Sequence, residues 1–153
     1  MAAADQARVV VARLGIVLSP KGGALQLMLP PFRFGMGGPF GTGQRWTSWL
    51  CIDDAVGALF HAACDDTLHG AVNFTAPQPV TNQEMCSELG TVLGRPALLP
   101  VPPVALRAML GQMADETMLS DLKVTPVALQ RAGYRFLYPT LGSALRHVLG
   151  RTK

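Results

Sequence analysis

The run Arg8 to Leu18, RVVVARLGIVL, constrains the fold more than any other stretch of the chain. It is crowded with β-branched residues and lacks polar alternation. A strand with one wet face alternates apolar and polar side chains, whereas one buried on both faces is apolar throughout. Burial on both faces is the habit of parallel sheets, whose neighbouring strands need a long crossover, usually a helix. The residues that follow supply crossovers. Ala24 to Met28 reads as a short helix stopped by Pro30-Pro31, and about Trp46 to Ile52 as a strand. Asp53 or Asp54 is placed to cap a helix through Cys64, with Val56, Leu59, Phe60 and Ala63 as its apolar face. Ala71 to Thr75 is a short strand. Thr81-Asn82-Gln83-Glu84 is a capping box opening a helix to about Leu93, which Gly94 ends. Alternation of strand and helix predicts an α/β layering over residues 1–94.

From Arg95 the pattern changes. Pro96, Pro100, Pro102 and Pro103 mark an extended connection. Val104 to Leu110, Pro126 to Ala132 and Leu141 to Leu149 read as helices, with Gly133 to Phe136 as a short extended piece. Residues 95–153 are therefore expected to form a mainly helical subdomain. No internal repeat or low-complexity segment stands out.

Between Leu29 and Asp54 the chain carries five glycines, and Gly35, Gly38 and Gly41 fall at a G-x-x-G-x-x-G spacing. A dinucleotide pyrophosphate needs such glycines between a buried strand and a helix, so that the helix N-terminus faces the phosphates. Here they follow Leu29-Pro30-Pro31, Pro39 interrupts them, and an aromatic, β-branched segment comes next. The spacing predicts a Gly-rich loop between a helix and a strand.

The apolar fraction is 49% and the charged fraction only 15%, which suits a surface meant to be covered by a partner or by more fold. Net charge is +3, and the ten arginines and three lysines are scattered singly, which argues against nucleic-acid binding. Cys51, Cys64 and Cys86, with His61, His69 and His147, lack the close spacing of a metal site or disulfide framework. Reduced cysteines suit a cytoplasmic protein. No apolar run is long enough to span a membrane, and Met1-Ala2-Ala3-Ala4 lacks the features of a signal peptide.

Several landmarks occur in order. They are Arg13-Leu14-Gly15-Ile16-Val17-Leu18, Gly22-Gly23-Ala24-Leu25, Leu29-Pro30-Pro31-Phe32-Arg33-Phe34-Gly35 and Gly37-Gly38-Pro39. Gly41-Thr42-Gly43, Trp49-Leu50-Cys51-Ile52-Asp53-Asp54, Asn73 to Pro77, and a Pro126 to Pro139 block with Ala132-Gly133-Tyr134 follow. From about Val9 to Leu149 the chain resembles the C-terminal half of an extended, atypical short-chain dehydrogenase/reductase of the epimerase family, a nucleoside-diphosphate-sugar epimerase type. The resemblance implies the C-terminal part of a Rossmann-like sheet plus a helical substrate-side subdomain. The N-terminal dinucleotide-binding half is expected to be missing, as in a fragment. The parent family uses NADP or NAD and a Tyr-x-x-x-Lys pair; here neither Tyr134 nor Tyr138 has a lysine four residues on. No catalytic residue is therefore assigned, and the chain alone is expected neither to bind the cofactor tightly nor to catalyse.

The resemblance places Gly15, Ile16 and Val17 against the nicotinamide end of the cofactor in the parent. Arg33, Arg45 and Trp46 are the candidate contacts to a small-molecule substrate, the arginines as anion partners and Trp46 as an aromatic wall. No basic residue lies from Trp46 to Asp54, where sugar-nucleotide epimerases carry a diphosphate-clamping arginine, which counts against a nucleotide-sugar substrate. Asp53 and Asp54 are adjacent, so their carboxylates diverge rather than converge on one bond. Cys51 stands where the family usually has His, and nothing beside it in sequence would lower its pKa. With half the sheet absent, an exposed strand edge is expected. A protein partner supplying the missing half, or self-association, would cover it.

Overall fold

The computed structural model describes residues 7–97 and 121–151. The run that reads as one strand is two: β1 (Val10–Leu14) and β2 (Ile16–Leu18), separated by Gly15. β1 pairs in parallel with β5 (Gly70–Phe74), from Val10 opposite Gly70 to Leu14 opposite Phe74. β2 pairs in parallel with β4 (Trp49–Cys51), from Ile16 opposite Trp49 to Leu18 opposite Cys51. At Gly15 the chain changes neighbours. Its N–H donates to Phe74 O at 3.0 Å, and the next N–H, of Ile16, donates to Ser48 O at 2.8 Å. On its other side β4 accepts from Ala76 N–H through Trp49 O, at 2.6 Å. β4 thus enters a fork that opens between β2 and the chain leaving β5. A Cβ at position 15 would lie 2.7 Å from Ser48 O and 3.1 Å from Thr75 Cγ2, so only glycine lets the three chains meet.

α1 (Gly23–Arg33) runs through Pro30-Pro31 instead of stopping before them. The prolines remove donors from the carbonyls of Gln26 and Leu27, but both residues are exposed, so water can serve them. Continuing the helix buries Leu29 and Phe32. The expected strand over Trp46 to Ile52 is likewise split, into β3 (Trp46–Thr47) and β4. β3 pairs antiparallel with β6 (Val80–Thr81).

α2 (Ile52–Cys64) starts earlier than the two aspartates suggest: Cys51 is its N-cap, with no side-chain cap bond. Asp53 and Asp54 lie in the first turn and diverge. Asp53 Oδ2 meets His147 Nε2 at 2.6 Å. Asp54 is fully buried and accepts from Leu137 N–H at 2.8 Å, Tyr138 N–H at 2.9 Å and Tyr134 Oη at 3.1 Å. The apolar face of α2 is also the opposite of the expected one. Ala55, Ala58 and Ala62 pack inward, and Val56, Leu59 and Phe60 are exposed. Small residues let the helix lie close to the sheet, a choice set by the tertiary contact rather than by side-chain size.

α3 (Asn82–Leu93) matches its sequence signals. Thr81 and Glu84 form the reciprocal capping box, and Gly94 takes the left-handed conformation at its end. The stretch from residue 95 contributes α4 (Val127–Arg131) and α5 (Leu141–Val148) among the described residues; Gly133 to Phe136 forms no strand. The helix read at Val104 to Leu110, and Pro100, Pro102 and Pro103, lie outside the described residues. Two apolar clusters hold the fold. One joins Leu18, Leu25, Phe32, Trp49 and Cys86 with Leu141 and Leu145; the other joins Leu50, Ala58, Val72 and Phe74 with Leu129.

Candidate functional site

A cavity of about 460 Å³ opens beside the strand fork. Gly15 and Ile16 form its floor, Trp46, Thr47 and Ser48 one wall, and Arg13, Asn73 and Thr75 another. The sequence predicts this place in outline, because α/β folds bind ligands outside the carboxyl ends of parallel strands where the order switches. β1 and β5 both end here, and β4 inserts between the segments that continue them, β2 and the chain after Phe74.

A third wall comes from residues 121–124, which the sequence does not point to. Asp121 Oδ1 accepts from Trp46 N–H at 2.8 Å, and Leu122 N–H donates to Trp46 O at 3.1 Å. Ser48 Oγ donates to Leu122 O at 2.7 Å and accepts from Val124 N–H at 2.8 Å. Leu122 and Val124 thereby become apolar lining. Lys123 sets its ammonium 3.8 Å from the Trp46 ring centroid, a cation–π contact.

Arg13 and Asn73 are register partners on the uncovered face of the β1–β5 pair. Neither makes a side-chain hydrogen bond or ion pair among the described residues, so both heads are available to a ligand. The only signal that could have found them is position: each sits one residue before a strand's carboxyl end. The lining offers donors, an aromatic ring and apolar surface. Among the described residues the lining contains no Asp, Glu, His, Cys, Tyr or Lys, so what is described there can hold and orient a molecule.

The other sequence candidates are dispersed. Gly15, Ile16 and Trp46 share the cavity. Val17 does not line it; its side chain packs against the second apolar cluster and its backbone pairs with Leu50. Arg45 is held by its backbone, which accepts from Asn82 N–H at 2.8 Å, and does not line the cavity. Arg33 ends α1 and faces a different hollow. Among the glycines, Gly35 closes α1, Gly37 lies against the Phe32 ring, and Gly38 O accepts from Cys86 Sγ at 3.2 Å. They shape a loop seated on α3, and no helix opens behind them. Burial pushes the Cys86 thiol up to about 12 and raises Cys51 as well, so neither is an activated nucleophile.

Comparison with known proteins gives consistent matches over nearly the whole chain. The sequence is 44% identical over 142 residues to the Arabidopsis thaliana epimerase family protein SDR39U1 homolog, covering 93% of this chain and 41% of that protein. It is 45% identical over 145 residues to the epimerase family protein Mb2239 of Mycobacterium bovis, covering 95% and 48%. The crystal structure of human epimerase family protein SDR39U1 with NADPH superposes with a TM-score of 0.88 at 38% identity, covering 98% of this chain and 51% of that one. This chain is an epimerase-family homologue. Residues 101–148 also match a family model described as a domain of unknown function, DUF1731. A nucleoside-diphosphate sugar epimerase from Corynebacterium glutamicum superposes at a TM-score of 0.67 and 33% identity, covering 94% of this chain and 26% of that one. The epimerase-family chain spans about half the length of the curated relatives it matches.

A whole dinucleotide does not fit the residues described for this homologue. The cavity is lined by strands and connecting segments, and no helix first turn borders it to receive a pyrophosphate. What is present fits one end of such a molecule: a flat apolar slot with Trp46 on one side and the Gly15 backbone beneath. Among the described residues no helix is long and apolar enough to cross a membrane.

Proposed function

We propose that this chain forms the substrate-side half of an NAD(P)-dependent short-chain oxidoreductase or epimerase and does not catalyse by itself. The observation that carries this reading is the cavity at the strand fork. It joins Gly15, Ile16 and Trp46 with the heads of Arg13 and Asn73, which have no side-chain partner among the described residues, and its described lining holds no carboxylate, imidazole, thiol, phenol or amine. Similarity to an NADPH-bound relative supports nicotinamide contact at Gly15 and Ile16 once a cofactor-binding half is present. Val17 would support that floor from within β2. Arg13 and Asn73 would meet polar groups of the substrate, with Trp46 stacking on its flat or apolar part. The absence of a basic residue from Trp46 to Asp54 favours a substrate other than a nucleotide sugar. Three unpaired cysteines suit a reducing, cytoplasmic setting.

A second reading is a non-enzymatic half that binds the polypeptide completing the sheet. It is favoured by the uncovered face of the β1–β5 pair, since parallel strands are normally covered on both faces. Val9 and Val11 project there, 63% and 53% exposed. Titration of the isolated chain with NADPH, followed by quenching of tryptophan emission, tests both. We expect no saturable binding in the micromolar range by the chain alone, and recovery of binding when the other half of a full-length relative is added. Micromolar NADPH binding by the isolated chain would refute the incompleteness on which both readings rest.

A further inference from the structure

Four described helices end in the same way: α4, where Gly133 N–H donates to Gln130 O at 3.1 Å and Tyr134 N–H to Leu129 O at 3.0 Å, and the three whose ends meet, α1, α3 and α5. After α1, Gly35 N–H donates to Phe32 O and Met36 N–H to Pro31 O, at 3.0 and 2.9 Å. After α3, Gly94 N–H donates to Thr91 O and Arg95 N–H to Gly90 O, at 3.1 and 2.9 Å. After α5, Gly150 N–H donates to His147 O and Arg151 N–H to Arg146 O, at 3.0 and 2.8 Å. Each is a Schellman turn with glycine in the left-handed region, at φ 73°, 65° and 64°. Two of the turns share one tetrad, Val92-Leu93-Gly94-Arg95 and Val148-Leu149-Gly150-Arg151, a short repetition within a chain otherwise free of repeats.

The three ends meet. Arg33 from the last turn of α1, Arg95 and Arg151 line one hollow of about 350 Å³, with Leu93 as its apolar wall. α3 and α5 pack against each other, so their following arginines arrive side by side. We propose that this hollow binds a small anion carrying two phosphate groups, at a site separate from the strand-fork cavity.

Arginine at a helix C-terminus has an ordinary role, satisfying the last carbonyls or the negative end of the dipole. Here the carbonyls that close the turns are already taken by backbone donors, and none of the three guanidiniums makes a side-chain hydrogen bond or ion pair among the described residues. Three helix ends carry about −0.5 charge each, which leaves roughly half of the three positive charges without compensation. The nearest described acid on these helices, Glu88, is engaged by Arg146 at 3.8 Å. Like charges gathered from three elements repel unless an anion joins them. Guanidinium forks match phosphate oxygens in pairs, so three of them suit more oxygens than one phosphate presents to one side. The volume also lies at the low end of the range for small-molecule sites, about 300–1,000 Å³, and exceeds what a lone inorganic ion requires.

Calorimetric titration of the full chain at low salt tests the proposal, with inorganic pyrophosphate as the probe and orthophosphate as the comparison. Pyrophosphate is expected to bind saturably with a Kd below about 1 mM, at least about tenfold more tightly than orthophosphate, and more weakly as salt is added. Arg33→Gln, Arg95→Gln and Arg151→Gln should each weaken binding about tenfold, while Arg135→Gln, an exposed arginine outside the hollow, should not. All four side chains are exposed, and circular dichroism of each variant confirms that the fold is kept. Absence of saturable binding, equal affinity for orthophosphate, or wild-type affinity in any of the three hollow variants would overturn the assignment.

Discussion

Gly15 and Asp54 carry more of the architecture than any other single residues. Gly15 stands where β1, the entry to β4 and the exit from β5 crowd together. Gly15→Ala forces a Cβ against Ser48 O and should cost about 1–3 kcal/mol of stability, measured by urea unfolding. Asp54 anchors the segment from Tyr134 to Tyr138 on the first turn of α2. Asp54→Ala leaves the N–H groups of Leu137 and Tyr138 without their charged acceptor and should cost about 3 kcal/mol. Burial, and then the charge of Asp54, raise the Tyr134 phenol above its ordinary value. The folded state therefore holds that proton where the unfolded chain, with a pKa of about 10, releases it. The contribution is whole below pH about 10 and is lost as pH rises through the folded value. Tyr134→Phe should flatten the alkaline decline in thermal stability; an unchanged decline would remove Tyr134 as its source. None of the three contacts of Asp54 was visible in the sequence. A doublet beginning a helix looks like a cap, and the real partners of Asp54 lie 80 to 84 residues away.

At the level of elements, local signals succeeded where the determinants are local. The Thr81–Glu84 box closes within one turn, so Thr81→Ala should lower stability by about 1 kcal/mol, and Glu84→Ala should act through the same contact. Double-mutant analysis of the pair by chemical denaturation checks that coupling. α1 shows the opposite case. Two prolines read as a stop, yet burial of Leu29 and Phe32 carries the helix past them. α2 was predicted to bury its large residues and instead buries its alanines, because the sheet beneath accepts only a close approach. The single run from Arg8 to Leu18 became two strands for a related reason. Its apolar content specified a strand, but the change of partner at Gly15 depends on where β4 and β5 arrive.

At the scale of the whole molecule, the β2–β4 pair is buried on both faces, while the β1–β5 pair leaves Val9 and Val11 bare on one face, and Val56 and Phe60 are bare on α2. Such surfaces mark association sites. Val11→Lys combined with Phe60→Lys should leave the unfolding free energy within about 0.5 kcal/mol of the parent, because neither side chain is packed. On the proposed partner-binding reading, the same pair should reduce self-association in sedimentation and weaken complementation by the cofactor-binding half of a full-length relative. Loss of stability instead would mean that these residues are packed in solution. By itself the sequence determined the α/β class, the capping box, the helix-ending glycine at 94 and the likeness to the epimerase family, since each is written in residues close together or in an ordered set of landmarks. It also pointed to Gly15, Ile16 and Trp46. Only the tertiary structure decided that these three share a cavity with Arg13 and Asn73, that residues 121–124 wall it, and that Arg33 leaves it to join Arg95 and Arg151. Those meetings depend on how distant segments pack, and side-chain periodicity along the chain carries no record of which elements become neighbours.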